Sequence, residues 1–557
     1  MRVIFHVNSS VNFYIQQISV QTVLWFLCLS FVPAQSAIKF EKNSQGFRIN
    51  GNLTEEYWKT EVLNSLPATG LSVVYGNQQY GFFEKTAIEF DKQSVRVSFI
   101  PPGYIYPIRF YVRDPGKKKL RFLKERRFQA PDLAPFKPFK LGKTSAVGAG
   151  GSPFFLMGIT TRIPKYGVLG PLPVIINRFG EIVWMYSGYQ QYFLKSDPAY
   201  QVVGQVLGPG DYGFVLRAKE SKFIRVNERG QLIDSFVFSK YPSVHHDYVF
   251  NKNTRQLLTL GNECIKTRND LTWFYSKNGV RGWIFGLFTS LFWPRTYLGT
   301  TINQTDLNTG IEKIIWRSSE NLQISKDFEM NSRAALYETL DFLKYRNLHK
   351  NPEIRIESIP PCHTDWSHGN SIVPYGDNGF LLSYKNLNQI DLWSPDFKKR
   401  KWSLGSQNRN SIKMENSHDS FSGQHTPSIT SRGNLLLFDN HLRGGLNKYG
   451  EGIGSRIMEI AIDSERGIGK LVWESKPLEP LLIPGKGSAE ELPNGNFLGY
   501  FPARDFSSVA HIVEFSKETG APVYDLSLGG NLISDGGMRV RAISAVSDEK
   551  YLGLDIN

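Results

Sequence analysis

Short stretches in which apolar and polar residues alternate run through residues 38–145. Val95–Ile100 is one example, and Pro101–Gly103 closes it with residues typical of a turn. Alternation with a period of two places one face of a strand on a core and the other in water. The pattern predicts a small β-sandwich over residues 38–147, and the glycine-rich run 148–153 predicts the linker to a second domain.

Beyond the linker, one pattern recurs six times: an apolar strand, a turn usually containing Gly, and a second strand that often contains Trp. A repeated hairpin cannot bury both of its faces alone, so the copies must stack on one another. Unevenly spaced, strand-rich copies favour a β-propeller of about six blades, and an array of β-sandwiches is the alternative. The copies centre on Asn177, Asn227, Asp306, Asp391, Asp463 and Glu514.

Two details of the repeats bear on the fold. In the fifth copy, Asp463, Gly469 and Trp473 are taken as the turn and the second strand. The final run, Met538–Leu554, is expected to return to the first blade and close the ring. The predicted fold is therefore all-β, a six-bladed propeller over residues 148–557 preceded by the small N-terminal β-sandwich.

Two segments stand outside the repeats. Trp283–Trp293 is apolar but too short to span a bilayer. Ser332–Leu348 has apolar residues near helical spacing and predicts a helix. These two segments together have four interpretations: a lid, an interfacial anchor, a subunit contact or a plain buried hairpin.

The amino-terminal segment has the pattern of an export signal. Arg2 precedes the apolar run Val20–Val32, and Pro33–Ala37 supplies small residues for cleavage. This predicts a secretory signal peptide over residues 1–37 and a periplasmic or secreted protein. An N-terminal membrane anchor is the alternative, but the apolar run is short for that role.

Cysteine content and charge narrow the chemistry. Cys264 and Cys362 follow the signal segment, and an exported protein allows them to form a disulfide, with two free thiols as the alternative. The sequence contains no CxxC motif and no clustered Cys/His spacing, so a structural zinc site is not predicted. The net charge of +14 suits anionic substrates, acidic glycans or an envelope surface. The basic run 117–127 is interpreted as a solvated face, since no nucleic-acid-binding motif accompanies it.

Several of the ten histidines lie next to the repeats. The doublet His245-His246 follows the second repeat, His368 precedes the fourth, and His425 precedes the fifth. Loops from successive blades converge on the central channel of a propeller, so these side chains are expected to meet there. Three interpretations compete: a metal site, nucleophilic and acid/base catalysis by imidazole, and histidines that only satisfy buried polar groups.

Four pairs of motifs follow one another along the chain: Asp365–Ile372 before Gly379–Ser383, Gln424–Pro427 before Gly433–Asn440, Ser455-Arg456 before Glu459, and Gly487-Ser488 before Leu492–Asn496. Taken in this order, they resemble the signature of the bacterial aryl-sulfate sulfotransferases. The resemblance covers roughly residues 150–555, and that family also has a short N-terminal β-domain before a six-bladed propeller.

Members of that family transfer a sulfuryl group from a phenolic sulfate ester to a phenolic acceptor, without a nucleotide sulfate donor. The chain agrees, since it contains no GxxxxGK[ST] loop. The resemblance implies that His425 attacks sulfur and forms a sulfohistidine, from which the acceptor phenol takes the group. No cofactor and no metal are expected. The expected partners are the phenolic donor and acceptor and no nucleic acid; a homodimer and a peripheral envelope contact are further hypotheses.

The resemblance also implies partners for His425. His368 and Asn370 match the groups that hold the sulfuryl oxygens. His246 matches the residue that protonates the leaving phenolate and deprotonates the acceptor. His245 is the alternative for that role and a substrate contact, because the doublet makes the alignment ambiguous by one residue.

Three further positions follow from the same comparison. Lys385 stands where the family usually has an arginine, so the positive charge is kept but the bidentate fork is lost. Arg456 and Ser488 complete the predicted substrate contacts. A cysteine pair that brackets the nucleophile loop in the family is absent here, so packing must order that loop.

Two other functions remain open at the level of sequence. One is a non-catalytic propeller that binds a sulfated or acidic ligand, motivated by Lys385 and the missing cysteine pair. The other is a metal-dependent hydrolase that uses the same histidines.

Overall fold

Six antiparallel sheets, each with four strands, follow one another between residues 154 and 543 in a computed structural model. Between residues 152 and 546 the structure describes all residues except 164–166, 187–200, 218–220, 228–229, 241–243, 267–295, 323–363, 406–410, 442–453, 477, 479–482, 484, 504–508, 530–531, 534–538 and 544. Before residue 152 and after residue 546, it describes only residues that lie in strands.

The six sheets are the blades of a propeller, as predicted. Blade 1 is Val540–Ile543, Phe154–Ile163, Gly167–Asn177 and Ile182–Met185; blade 2 is Gln201–Gly208, Asp211–Arg217, Lys222–Asn227 and Leu232–Val237; blade 3 is His245–Asn251, Gln256–Lys266, Thr296–Asp306 and Ile311–Arg317. Blade 4 is Gly369–Pro374, Phe380–Tyr384, Gln389–Trp393 and Arg400–Gly405; blade 5 is His425–Ile429, Leu435–Asp439, Arg456–Asp463 and Ile468–Glu474; blade 6 is Ser488–Glu491, Phe497–Phe501, Ala510–Phe515 and Pro522–Leu528.

Short elements lie beside the blades. The helices described are an α-helical turn and two 3₁₀ turns, and none of the described helices is long and apolar enough to cross a membrane. The helical turns are Ser318–Asn321, Lys385–Leu387 and Ser417–Asp419, and the extra strands are Ala146–Val147 on blade 6, Leu532–Ile533 on blade 1, Thr364–Asp365 on blade 3 and Lys413–Met414 on blade 5.

The six repeats of the sequence are the hairpins that join the third and fourth strands of each blade. Asn177 shows how the turn works: its side-chain oxygen accepts hydrogen bonds from the backbone N–H groups of Phe179 and Glu181, at 3.0 and 2.9 Å. The prediction for the fifth copy was wrong in one respect. The turn glycine is Gly467, whose φ of 70° favours glycine, whereas Gly469 lies in the strand.

Apolar side chains fill the space between neighbouring blades. Each blade is a sheet that is covered on both faces by its two neighbours, so apolar residues lie on both faces of its central strands. Leu435–Asp439 is buried at every position, as expected for a strand between two other sheets. Five clusters of buried apolar residues join blades 2 and 3, 3 and 4, 4 and 5, 5 and 6, and 6 and 1. Trp184 stacks on Phe214 between blades 1 and 2, which completes the circle.

The ring closes by pairing residues from the two ends of the propeller sequence. Val540–Ile543 is the inner strand of blade 1 and pairs antiparallel with Phe154–Met157. The predicted return of the carboxyl-terminal run to blade 1 is therefore confirmed for this strand. Glu549–Gly553 behaves differently, since it pairs with Gly81–Thr86 in the N-terminal region.

The N-terminal region contains strands, which the structure describes separately from the propeller. A six-stranded sheet and two two-stranded sheets form there, and the sandwich arrangement and the domain boundaries stay predictions. The sheet strands are Lys39–Asn43, Gly46–Asn50, Thr60–Glu61, Ser72–Asn77, Gly81–Thr86, Ser94–Val95, Ile105–Arg113 and Leu120–Gln129, with Ala545–Val546 and Glu549–Gly553.

Several predictions fall outside the described residues. These are the signal peptide over residues 1–37, the Trp283–Trp293 segment and the Ser332–Leu348 helix. Cys264 is disulfide-bonded, and its predicted partner Cys362 also lies outside the described residues.

Candidate active site

The predicted site residues lie where the inner strands of successive blades begin. His245 opens blade 3, Gly369 opens blade 4 directly after His368, and His425 opens blade 5. Inner strands of neighbouring blades are in contact around the ring. The histidines that are far apart in sequence are therefore brought to one end of the central channel.

A β-bulge marks the start of each of these three inner strands. The register shifts between His245 and Tyr248 in blade 3, with similar shifts at the starts of blades 4 and 5. His246, His368 and Thr426 have φ angles of 60°, 46° and 46°, in the left-handed region that non-glycine residues rarely adopt. Bulges re-aim side chains, and strained backbone of this kind clusters at functional sites.

His425 is held in a single tautomer. Its Nδ1 lies 2.9 Å from the carbonyl oxygen of Gly423 and 2.7 Å from Oδ1 of Asn440. Both partners accept hydrogen bonds, so Nδ1 carries the proton and Nε2 carries the lone pair. The backbone N–H of Lys486 donates to that Nε2 over 3.2 Å. His425 therefore presents an unprotonated Nε2 as its reactive nitrogen.

The electrostatic surroundings keep His425 neutral. The side chain is 2% exposed, and burial is the main reason why its pKa falls from 6.5 to about 3. The positive charge of Lys385 lowers the pKa further, followed by His368, whereas the hydrogen bonds to Asn440 and Gly423 oppose the shift. At neutral pH the imidazole is thus uncharged, and Lys385 supplies a positive charge near it.

Asn440 positions His425, a role that the sequence motif alone did not reveal. Its Nδ2 donates to the carbonyl oxygens of Ile483 and Lys486, at 2.8 and 2.9 Å, which turns Oδ1 towards His425. Asn440 is fully buried directly after the apolar strand Leu435–Asp439. The polar pair Asp439-Asn440 at the end of an otherwise apolar second strand was the available signal for this role.

Hydrogen bonds, in addition to packing, order the loop before His425. The carboxylate of Asp439 accepts from the backbone N–H of Ser422 and from Nε of Arg456, at 2.9 and 3.1 Å. Oδ1 of Asn388 accepts from the N–H of Gly423 at 2.7 Å. The prediction that packing orders this loop was therefore incomplete.

Arg456, predicted as a substrate contact, lies in that supporting network. Its guanidinium bridges Asp439 and Glu474, with Nη1 2.6 Å from the Glu474 carboxylate. The predicted contact at Ser488 lies in the inner strand of blade 6, where its hydroxyl accepts from the N–H of Val540 at 3.1 Å. Arg456 thus supports the loop before His425, whereas Ser488 contacts the strand that closes the ring. A direct substrate contact stays a prediction for both residues.

Asn370 and Gln424 connect blades 4 and 5 beneath the histidines. Nδ2 of Asn370 donates to the carbonyl oxygen of Gln424 at 2.7 Å, and Nε2 of Gln424 donates to the Ser383 hydroxyl at 3.0 Å. The Oδ1 atom of Asn370 is buried without a hydrogen-bond partner. A buried amide in this condition has capacity left for a ligand or a water molecule.

His246 contacts His368 and lies among the other histidines of the site. The two imidazole rings meet edge to face with centroids 4.9 Å apart. Burial lowers the pKa of His246 well below 6.5, and His245, His368, His425 and Arg217 lower it further. His246 is therefore neutral at pH 7. Arg217 is a cation that sequence reasoning missed; it lies at the end of the second strand of blade 2.

His245 does not occupy an equivalent position to His246. Its Nδ1 lies 2.5 Å from Nδ1 of His246, and its Nε2 lies 2.7 Å from Oδ1 of Asn262. Both ring nitrogens of His245 are thus engaged by protein atoms. This arrangement favours His246 over His245 as the residue that meets the substrate.

Asp247 and Arg539 form a second feature that the sequence did not predict. The buried carboxylate of Asp247 accepts from the hydroxyl of Ser371 and the N–H of Ile372, at 2.9 and 2.8 Å, and pairs with Nη2 of Arg539. Arg539 also donates to the Ser371 hydroxyl at 2.7 Å. This network joins blades 3 and 4 to the segment that closes the ring.

Among the residues that the structure describes, no group of three or more His, Cys, Asp or Glu side chains is arranged to hold one metal ion. The site instead combines neutral imidazoles with the cations Lys385 and Arg217, an arrangement suited to an anionic substrate.

Fold and site together define a β-propeller with a histidine cluster and a fixed cation at one end of its channel. The family model for Arylsulfotransferase (ASST) matches residues 169–536, about two thirds of the 557 residues. The chain belongs to the arylsulfotransferase family, whose members transfer sulfuryl groups of aryl sulfates, and the predicted resemblance is confirmed.

Other comparisons add little. No curated protein matches the chain. A protein of unknown function from Bacteroides caccae shares 12% identity, with 68% of this chain and 94% of that one covered and a TM-score of 0.33. A streptogramin B lyase shares 9%, with 70% and 98% covered and a TM-score of 0.30. An apocarotenoid oxygenase from Synechocystis shares 13%, with 87% and 95% covered and a TM-score of 0.29. These likenesses are too low to carry an argument.

Proposed function

We propose that this protein is an exported aryl-sulfate sulfotransferase that works through a sulfohistidine on His425, without a nucleotide sulfate donor. The observation that carries the proposal is the tautomer of His425, which presents a lone pair on a neutral, buried Nε2 beside Lys385. Family membership supplies the class of reaction.

In the first half-reaction, the Nε2 lone pair of His425 attacks the sulfur of the aryl sulfate. The N–S bond forms as the S–O bond to the aryl group breaks, and its electron pair leaves on the phenolate oxygen. The proton stays on Nδ1, where it is hydrogen-bonded to Oδ1 of Asn440 and to the carbonyl oxygen of Gly423. These two acceptors stabilise the positive charge that develops on the ring. Lys385 attracts the sulfuryl oxygens.

The backbone N–H of Lys486 has a second part in this step. It donates to the lone pair that sulfur must approach, so this hydrogen bond breaks before the N–S bond forms. The freed N–H then lies beside the sulfuryl group and can donate to one of its oxygens. A single amide thus exchanges the nucleophile for the transferred group, as oxyanion-hole donors do at a developing charge.

In the second half-reaction, the acceptor phenol attacks the same sulfur. The N–S bond breaks and its electron pair returns to Nε2 of His425, while the phenol proton passes to His246. The oxygens of the transferred group carry negative charge, and two cations complement it: Lys385 near His425 and Arg217 near His246.

Trapping the intermediate tests the proposal. After rapid mixing with 4-nitrophenyl sulfate, mass spectrometry of the denatured protein should show one added sulfuryl group on His425. The His425→Ala variant should release no 4-nitrophenol. His511→Ala, which changes a part-exposed histidine on blade 6, should keep full activity. An active enzyme without sulfated His425 would overturn the mechanism.

The same assay separates the alternative functions. A non-catalytic propeller releases no phenol at all. A metal-dependent hydrolase releases phenol without an acceptor and loses this activity when a chelator removes its metal. A transferase releases phenol faster when an acceptor phenol is present.

Export is the localisation that we propose. Besides the signal-like segment, the disulfide at Cys264 supports it, because disulfides persist in oxidising compartments. A homodimer and a contact with the envelope surface also remain proposals. Cell fractionation and gel filtration of the mature protein test all three.

A further inference from the structure

The histidine doublet and Asn262 form a chain of hydrogen bonds whose order has a chemical consequence. Oδ1 of Asn262 accepts at 2.7 Å, so Nε2 of His245 is the donor and carries a proton. A neutral His245 then has a bare Nδ1, which accepts from Nδ1–H of His246 over 2.5 Å. The Nε2 atom of His246 is left with a lone pair and no proton.

We infer that Asn262 is a positioning residue that, through His245, fixes His246 as the base for the acceptor phenol. The inference rests on the proposed function and divides its proton transfers. His246 can take a proton from the acceptor in the resting tautomer. It has no Nε2 proton to give to the first leaving group, so the donor leaves as a phenolate.

The surroundings of His246 support a base that starts uncharged. The groups that face it are His245, His368, His425 and Arg217, and each disfavours a second proton on its ring. In the sulfated intermediate the negative charge of the sulfuryl oxygens is offset by the positive charge on the His425 ring, so His246 still starts uncharged at the stage when the acceptor must be deprotonated.

The tautomer order also defines a class of donor. Because no proton reaches the departing oxygen, donors whose phenols are acidic, such as 4-nitrophenyl sulfate, should react much faster than sulfates of weakly acidic phenols. Acceptors do not share this limit, since His246 removes their proton. The enzyme is thus built to move sulfuryl groups from good leaving groups to less acidic phenols.

Two variants of Asn262 test the inference. Asn262→Leu removes the acceptor and frees the tautomer, while Asn262→Asp keeps an acceptor oxygen in nearly the same shape. Single-turnover release of 4-nitrophenol should be unchanged in both. Desulfation of the intermediate by an acceptor phenol should fall at least about 10-fold in Asn262→Leu and be restored in Asn262→Asp. The pH profile of that step should shift upward in Asn262→Asp, since a carboxylate favours the protonated histidine pair.

An equal loss in both half-reactions of Asn262→Leu, or no loss in the acceptor step, would overturn the inference. A second readout does not depend on activity. Nitrogen-15 NMR of the wild-type protein should show His246 protonated at Nδ1 and bare at Nε2, and a proton at Nε2 would also overturn it. Should the protein prove inactive on aryl sulfates, the proposed function fails while the NMR result still decides the tautomer order.

Discussion

Single residues determine the protonation state of His425, and its tautomer is the clearest case. Asn440 and the Gly423 carbonyl fix the proton on Nδ1. Burial lowers the pKa of the ring, so Nε2 does not take up a second proton at neutral pH. A nucleophile prepared in this way needs no general base to activate it. This is a sharp contrast with a serine or threonine nucleophile, which must lose a proton as it attacks.

A pH profile follows from this state of His425. Because its pKa is lowered to about 3, His425 is neutral at every pH above roughly 5. The rate of phenol release in a single turnover should therefore be constant from about pH 5 to pH 8. Stopped-flow measurement with 4-nitrophenyl sulfate checks this, and a decline with an apparent pKa near 6.5 would show that His425 is an ordinary, solvated histidine.

Lys385 leads to a second prediction at the same scale. Lys385→Met removes the cation that faces His425, so single-turnover phenol release should fall about 10²-fold or more. Lys385→Arg keeps the charge and adds a second donor, so its rate should lie within about 10-fold of the wild type. Equal rates in Lys385→Met and in the wild type would show that another cation holds the sulfuryl group.

At the scale of elements, the turn that follows Ile483 brings the Lys486 amide to the nucleophile. Lys486 has a φ of 67° and Gly487 a φ of 104°, both in the left-handed region. A Cβ on Gly487 would lie 2.5 Å from the ring of Phe438, too close for any real contact. The glycine is therefore required by the backbone and by the neighbouring ring at once.

Gly487→Ala should consequently displace the Lys486 amide and slow the first half-reaction about 10-fold or more. Gly495→Ala is a matched control, because Gly495 also has a positive φ, 85°, but open space around its Cβ position. Both variants carry a similar backbone strain of about 1–2 kcal/mol. If the two variants lose the same small amount of activity, strain alone explains the effect and the amide has no catalytic part.

The elements also show what a sequence can reveal. Four of the six hairpins have an Asn or Asp turn, at Asn177, Asn227, Asp306 and Asp463, whose hydrogen bonds lie within a few residues. The number of blades followed from counting the repeated hairpins. The partners of His425 and His246 were partly readable as motifs. Asn262, Arg217 and Arg539 were not, because each meets the site through a contact between distant parts of the chain, with no spacing rule to announce it.

For the whole molecule, the Asp247–Arg539 pair connects catalysis to ring closure. Asp247 follows His246 directly, and Arg539 precedes the closing strand Val540–Ile543. Burial lowers the pKa of Arg539, and the Asp247 carboxylate opposes that shift and stabilises the charge. The geometry of the site thus depends on the last strand of the propeller.

Breaking this pair should cost stability. Arg539→Met leaves the carboxylate of Asp247 buried without its cation, which should lower the free energy of unfolding by about 3–5 kcal/mol. The double variant Arg539→Met/Asp247→Asn should recover part of that loss, because no uncompensated charge remains. Urea denaturation of the wild type, the Arg539→Met and Asp247→Asn single variants and the double variant measures this, and additive losses would show that the two side chains do not interact.

Closure of the ring by Val540–Ile543 has a consequence for how the protein folds during its synthesis. The first strand of the propeller finds its partner almost four hundred positions later in the chain, so no nascent intermediate can complete the circle. Contacts of such long range make folding slow, and the ring cannot close before residues 540–543 have been synthesised. Until then the propeller stays open, and polypeptides without a completed fold are the ones that can be threaded through a membrane pore.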